Sequence, residues 1–243
     1  MSGKSFLIDT SACMACRSCQ VACKAWNQND GSITRNRGSH QNPPDFDSNT
    51  WKLVRFREVR AGNKVSRYFF SDQCRHCIDA PCKDVIDSAV TGGAIQDKAT
   101  GAIVFTDKSK GAPFKDVRSE CPYDIPRQKA DGTIVKCNMC IDRVSNGLAP
   151  ACVKSCPMEG LHFGDREAIL AKAEKRLAKL KEKYPKAQLL DVETVRTIYL
   201  VTGDPKEYHK FALASADTGV TRKVALRRMF GPAIDAWRTI ARG

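Results

Sequence analysis

Residues 13–23 read Cys13-Met14-Ala15-Cys16-Arg17-Ser18-Cys19-Gln20-Val21-Ala22-Cys23, the spacing C-x2-C-x2-C-x3-C. Three thiolates offset by three residues each can wrap one corner of a compact iron–sulfur cube. A fourth, after three more intervening residues, ligates a neighbouring cube instead. The run therefore demands partners far downstream, and the chain holds twelve cysteines in all.

The last group supplies them. Cys137 and Cys140, then Cys152, Cys156 and Pro157, give C-x2-C-x11-C-x3-C-P, and the C-P ending is the bacterial ferredoxin signature. Under the crossing rule, Cys13, Cys16 and Cys19 take Cys156, while Cys137, Cys140 and Cys152 take Cys23. Between them lie Cys74, Cys77 and Cys82, spaced C-x2-C-x4-C, and a lone Cys121 followed by Pro122. A fourth cysteine is due at position 86, which is Ile86. Counting back from Cys121 with the spacing of the opening run reaches Val117, Phe114 and Gly111. The middle region thus reads as a two-cluster module that holds one cluster, on Cys74, Cys77, Cys82 and Cys121. Ile86, Phe114 and Val117 can fill the vacant site with apolar volume. No cysteine is left over from this partition.

Other readings of the cysteines fit less well. Structural zinc uses two C-x2-C pairs, which the opening run and the separate C-x3-C-P do not match. Disulfides between such close neighbours would strain small loops, and a chain of 243 residues needs no staples to hold a core. His76 lies inside a cysteine group, but Rieske-type histidines replace two cysteines, and Cys121 already completes four sulfurs. It is read as tuning a cluster through a hydrogen bond or as facing a partner. His40, His162 and His209 are isolated and read as structural. Met14, Met139 and Met158 read as soft apolar shielding around clusters. No phosphate loop or dinucleotide fingerprint is present, and no nucleophile–base set remains for bond chemistry. The chain by itself moves electrons.

The formal charge of +13 would ordinarily suggest nucleic acid. Twelve thiolates on three [4Fe–4S]2+ cores bring it to about +7, and Arg17, Lys24, Arg75, Lys83, Lys136 and Lys154 sit beside the cysteines. No basic stripe is interleaved with stacking aromatics, so nucleic acid is not expected. No stretch approaches eighteen consecutive apolar residues, so no membrane span is expected either. Residues 1–10 contain neither an apolar signal core nor an Arg-Arg pair.

In chain order, residues 4–9 predict a strand, and Asp9-Thr10-Ser11 a turn. Cys19–Trp26 predicts a short helix, and residues 27–49 a long polar loop. Trp51–Val59 and Lys64–Phe70 predict a hairpin closed at residues 61–63. Asp165 is a plausible cap for a helix over Glu167–Tyr184, ended by Pro185. Thr197–Val201 predicts a strand, and Lys206–Ala214 and Arg222–Arg242 are helical in pattern. The fold class is α+β: two nested bacterial-ferredoxin-like modules with a mostly helical C-terminal extension. Residues 1–30 and 130–164 form the outer module with two clusters. Residues 31–129 carry the inner module with one, and 165–243 form the extension.

Over about residues 4–170 the chain resembles the iron–sulfur (β) subunits of molybdenum or tungsten enzymes in the dimethylsulfoxide-reductase superfamily. Within them it is most like formate dehydrogenase. The likeness rests on Gln73–Cys82, Cys121–Arg127, Lys136–Arg143 and Pro150–Pro157, running on to Leu161–Gly164. Arg37–Pro44 is similar to the soluble periplasmic type of sulfate-reducing bacteria. The resemblance implies a heterodimer with a larger α subunit, which holds W or Mo on bis-pterin guanine dinucleotide and interconverts formate and CO2. It implies export to the periplasm together with that subunit, and a multihaem cytochrome c as acceptor. Such subunits normally carry four [4Fe–4S] clusters, and some have a C-terminal membrane helix. Here the fourth cluster and that helix are not expected, which suggests a shortened relay. Electrons would pass from α through the outer clusters to the inner one and leave there. The same cysteine pattern also suits a relay for polysulfide, nitrate or a sulfoxide, or a free multicluster ferredoxin.

Overall fold

A computed structural model describes residues 2–214. Strand β1 (Lys4–Asp9) opens the chain. Its Phe6, Leu7 and Ile8 are at most 1% exposed, as a strand covered on both faces requires. Asp9 then accepts a hydrogen bond from the Ser11 amide at 2.9 Å and opens a single 3-10 turn. Helix α1 (Ser18–Trp26) follows directly from the first cysteine loop. After the long loop, β2 (Leu53–Ala61) and β3 (Lys64–Asp72) pair antiparallel. Gly62 takes the positive φ that their two-residue turn needs.

The middle region is built from short pieces. Helix α2 (Pro81–Ala89) starts with proline at its first turn, where a missing N–H costs nothing. Strands β4 (Ala94–Gln96) and β5 (Ile103–Phe105) pair antiparallel, and α3 (Phe114–Ser119) packs on α2. Strands β6 (Arg127–Gln128) and β7 (Ile134–Val135) form another small ladder. Ile86 and Val117 are fully buried, sharing a core with Val85, Ala94, Ile103 and Ile134, and Phe114 packs against it. Three positions expected to have lost cysteine therefore lie in one hydrocarbon core. Gly93 lies under Ile86 so closely that a Cβ there would come within 2.6 Å of its Cγ2.

Cys140 immediately precedes helix α4 (Ile141–Val144), and helix α5 (Ala151–Lys154) carries Cys152. Then come β8 (Leu161–Asp165), α6 (Arg166–Lys181), β9 (Gln188–Leu190), β10 (Thr197–Val201) and α7 (Pro205–Tyr208). These complete one four-stranded sheet in the order β8-β1-β10-β9. The β1–β10 pair is parallel, with Phe6 opposite Thr197 and Ile8 opposite Tyr199. Period-two alternation divides the two central strands between faces. Leu7, Ile198 and Leu200 pack on Ile169, Ala173 and Leu180 of α6. Phe6, Ile8, Tyr199 and Val201 face the other way, onto Cys19, Val54, Phe70, Met139 and Cys152.

Within the extension, residues 166–181 are helical and Thr197–Val201 is the expected strand, while Gln188–Leu190 adds a strand that was not expected. The β-branched and aromatic run of β10 is drawn beside β1, where both of its faces are buried. The helix expected over Lys206–Ala214 is only α7, which ends where His209 turns extended and packs beside Phe70 and Phe211. Asp165 precedes α6 without capping it, because its carboxylate pairs with Lys4 at 2.8 Å. The helix expected over Arg222–Arg242 lies outside the described residues. No helix among the described residues is long and apolar enough to cross a membrane.

Candidate metal centre

Three of the four C-x2-C turns, those ending at Cys16, Cys77 and Cys140, share one backbone device. The residue before the second cysteine has positive φ in each: Ala15 at 57°, His76 at 46° and Met139 at 63°. None is glycine, so each turn holds a conformation that L-residues avoid. The device aims an amide at a thiol. The His76 N–H lies 3.3 Å from Cys74 Sγ, and the amides of Ala15 and Met139 stabilise the thiolates of Cys13 and Cys137 in the same way. Cys121 receives the Ile125 amide at 3.5 Å. Such amide nests hold anionic sulfur.

The side chains gather into sets. Burial raises the Cys23 pKa well above its ordinary value, and the thiols of Cys137, Cys152 and Cys140 add to this. Cys13 is raised to about 11 by burial, with Cys19 and Cys156 among its repelling neighbours and the Ala15 amide opposing. Cys82 is raised by burial and then by Cys121, Cys74 and Cys77. Cys77 is raised by burial, Cys121 and Cys74. Cys16 is exposed at the rim of the first loop and bonds the Ser18 hydroxyl at 3.4 Å. Four thiols that repel one another when ionised are poised for metal, whose charge removes the repulsion and deprotonates them. Among the described residues no three His, Cys, Asp or Glu side chains close on a point suited to one metal ion. Thiol donors with amide nests suit iron–sulfur clusters.

The sets also touch end to end. Cys152 neighbours Cys19, and Cys137 neighbours Cys74. All four thiols of Cys23, Cys137, Cys140 and Cys152 are buried. Cys16, expected in one set with Cys13, Cys19 and Cys156, lies exposed, and Met14, Val21 and Met158, close to these cysteines in sequence, are about half or more exposed as well. Met139 is fully buried as shielding requires, but Met14 at 57% and Met158 at 49% exposure line the surface instead.

Around the inner set, His76 is fully buried. Its Nδ1 accepts the Ile103 amide at 3.1 Å, so the proton sits on Nε2, which has no partner. Burial, with Lys136 and Arg196 nearby, keeps the ring neutral by lowering its pKa well below the usual value. Arg75 is 2% exposed, pairs with Asp72 at 2.8 Å and stacks over Tyr199, Tyr123 and Phe70. Lys136 is buried and bonds the Ile103 and Cys137 carbonyls. Of the other basic residues beside the cysteines, Lys83 pairs with Asp87 on α2 and Arg17 lies over the Phe56 ring.

One cation escapes a reading by proximity in sequence. Lys52 is 1% exposed, twenty or more residues from any cysteine. Burial opposes its charge, and the sulfurs of Cys152 and Cys19, then Tyr199 and Cys137, are the groups around it that favour it. The left-handed Ala15, His76 and Met139 escape it too, since no residue type marks them.

A family model described as a 4Fe–4S dicluster domain matches residues 65–166. The formate dehydrogenase subunit beta of Megalodesulfovibrio gigas is 48% identical over 213 residues, covering 87% of this chain and 99% of the relative. The formate dehydrogenase 2 subunit beta (cytochrome c-553) of Nitratidesulfovibrio vulgaris is 51% identical over 214 residues, covering 86% of this chain and 98% of the relative. The nitrate-inducible formate dehydrogenase iron-sulfur subunit of Escherichia coli is 37% identical over 211 residues, covering 84% and 70%.

Proposed function

The chain belongs to the formate dehydrogenase β, or iron–sulfur, subunits, and from that premise we propose a three-cluster relay between a W or Mo catalytic α subunit and a multihaem cytochrome c. It is an electron-transfer subunit. Its finer reading assigns one [4Fe–4S] cluster to Cys13, Cys16, Cys19 and Cys156, a second to Cys23, Cys137, Cys140 and Cys152, and a third to Cys74, Cys77, Cys82 and Cys121. When bound, such clusters supply one-electron carriers.

The observation that carries this reading is the row of thiol sets, joined at Cys19 beside Cys152 and at Cys137 beside Cys74. This row supports a linear order with the Cys23 set in the middle. The exposed Cys16, with exposed apolar Met14, Val21 and Met158 close to the first-set cysteines in sequence, favours the first set as the one that meets the α subunit. The protein supplies the rest: amides aimed at sulfur, buried cations beside thiolates, and apolar walls that exclude water. The relative from N. vulgaris carries cytochrome c-553 in its name, which favours a haem protein as acceptor and the periplasm as the compartment.

Cys121→Ala in the purified complex tests the order. Formate should still reduce the two outer clusters, while reduction of the cytochrome is lost. Undiminished cytochrome reduction with the inner cluster absent would overturn it.

A further inference from the structure

The β2–β3 hairpin presents one face to the outer thiol sets. Val54 and Ser71 are opposite each other in the ladder and share that face. Val54 packs in the core with Cys19 and Cys152, and the Ser71 hydroxyl lies 3.3 Å from Cys19 Sγ. Two residues before Val54 and two after Ser71 come Lys52 and Gln73. Alternation returns them to this face, and the Lys52 ammonium donates to Gln73 Oε1 at 2.5 Å.

Lys52 is thus a buried cation whose side-chain partner is a neutral amide. Among the described residues no carboxylate forms an ion pair with it. A buried charge needs an opposite charge, and the sulfurs around it belong to two different sets, Cys19 to one and Cys152 and Cys137 to the other, which become thiolate ligands on the assignment proposed above. Cys13 and Cys23 feel the same ammonium. The inner set faces other cations, with Arg75 beside Cys77 and Cys121 and Lys136 beside Cys77 and Cys82.

We infer that Lys52 is a shared electrostatic anchor for the two outer clusters, favouring their reduced, more negative states and easing the repulsion between two adjacent reduced centres. The inference rests on the cluster assignment proposed above. Each added electron raises the negative charge near the ammonium, so the attraction is larger in the reduced form and the reduction potential rises. Lys52 itself carries no electron and acts through the thiolates.

The test is a low-temperature EPR redox titration of the complex, with iron and acid-labile sulfide counted on each sample. Lys52→Gln should retain its iron and lower both outer potentials, each by roughly tenfold in the reduction equilibrium, about 59 mV for a one-electron couple. The inner potential should move less. Lys52→Arg should restore values near the native ones. If Lys52→Gln does not assemble, Gln73→Glu leaves the lysine in place but pairs it with a carboxylate, and it should shift the outer potentials in the same direction by less. Clusters present with outer potentials unchanged, or an equal shift at all three clusters, would overturn the inference. Absence of clusters from the outer cysteines of the native protein would instead overturn the assignment beneath it.

Discussion

The outer and inner thiol regions start from the same local device and end differently. In both, a C-x2-C turn with a left-handed residue before its second cysteine aims an amide at sulfur. The outer region gathers eight thiols, and its hydrocarbon serves as their wall, with Phe6, Ile8, Tyr199 and Val201 of the sheet facing Cys19 and Cys152. The inner region gathers four, and at the positions where more cysteines are due it is packed with Ile86, Phe114 and Val117. On the cluster assignment proposed above, a cluster site and a small apolar core occupy equivalent places in this architecture. Metal ligation would then organise one, and burial of about 25 cal/mol per Å2 of apolar surface organises the other.

Cysteine loss in the outer region should have the largest effect. Cys23→Ala should abolish the cluster on Cys137, Cys140 and Cys152 while leaving the one on Cys13, Cys16 and Cys19 largely intact, as read by EPR of the reduced complex. The reverse pattern would break the crossed partition. Next comes the seam between the regions. Asp72 is fully buried and pairs with both Arg55 and Arg75, so Asp72→Ala leaves the buried Arg75 without its carboxylate, while Arg55 keeps Asp45 at 2.8 Å. The substitution should cost about 3–5 kcal/mol in denaturant unfolding. Within the inner core, Ile86→Ala should cost about 2–5 kcal/mol through lost burial and the cavity left behind. Its inner cluster should keep its iron. A loss below 1 kcal/mol would mean that the apolar packing does not hold the inner region together.

The smallest effect is a pH slope. His209 has its pKa lowered to about 4 by burial, with Arg55 and Arg75 adding and Asp72 opposing. Unfolded, the ring takes its proton near pH 6.5. Between those values the unfolded chain binds the extra proton, so stability rises with pH across this window and is lost as pH falls through it. Below about pH 4 the slope ends. His209→Gln should flatten the difference in unfolding midpoint between pH 6.5 and 5 relative to the native complex.

The thiols that lie together, Cys23 with Cys137, Cys140 and Cys152 and Cys82 with Cys74, Cys77 and Cys121, were legible because cysteine spacing is a direct record of reach along the chain. β1, α1 and the hairpin were legible as well, since alternation and turn residues are local signals. The sheet was not. β10 lies almost two hundred residues from β1, and nothing local in Thr197–Val201 says which strand it will pair with or that the pair is parallel. Lys52 was invisible for the same reason, since hairpin register places it among thiols from which it is distant in sequence. Met14 and Met158 misled because a residue next to a ligand in sequence can still point outward from a loop that reaches the surface. Ala15, His76 and Met139 hold left-handed backbone without the glycine that would signal it.

The central claim is that the outer region holds two clusters and the inner region one. Iron and acid-labile sulfide should therefore be counted per complex in the native protein and in Cys121→Ala. The account predicts that the variant loses about four irons and four sulfides, with both outer-cluster EPR signals retained. A loss of about eight irons, or no loss, would contradict it.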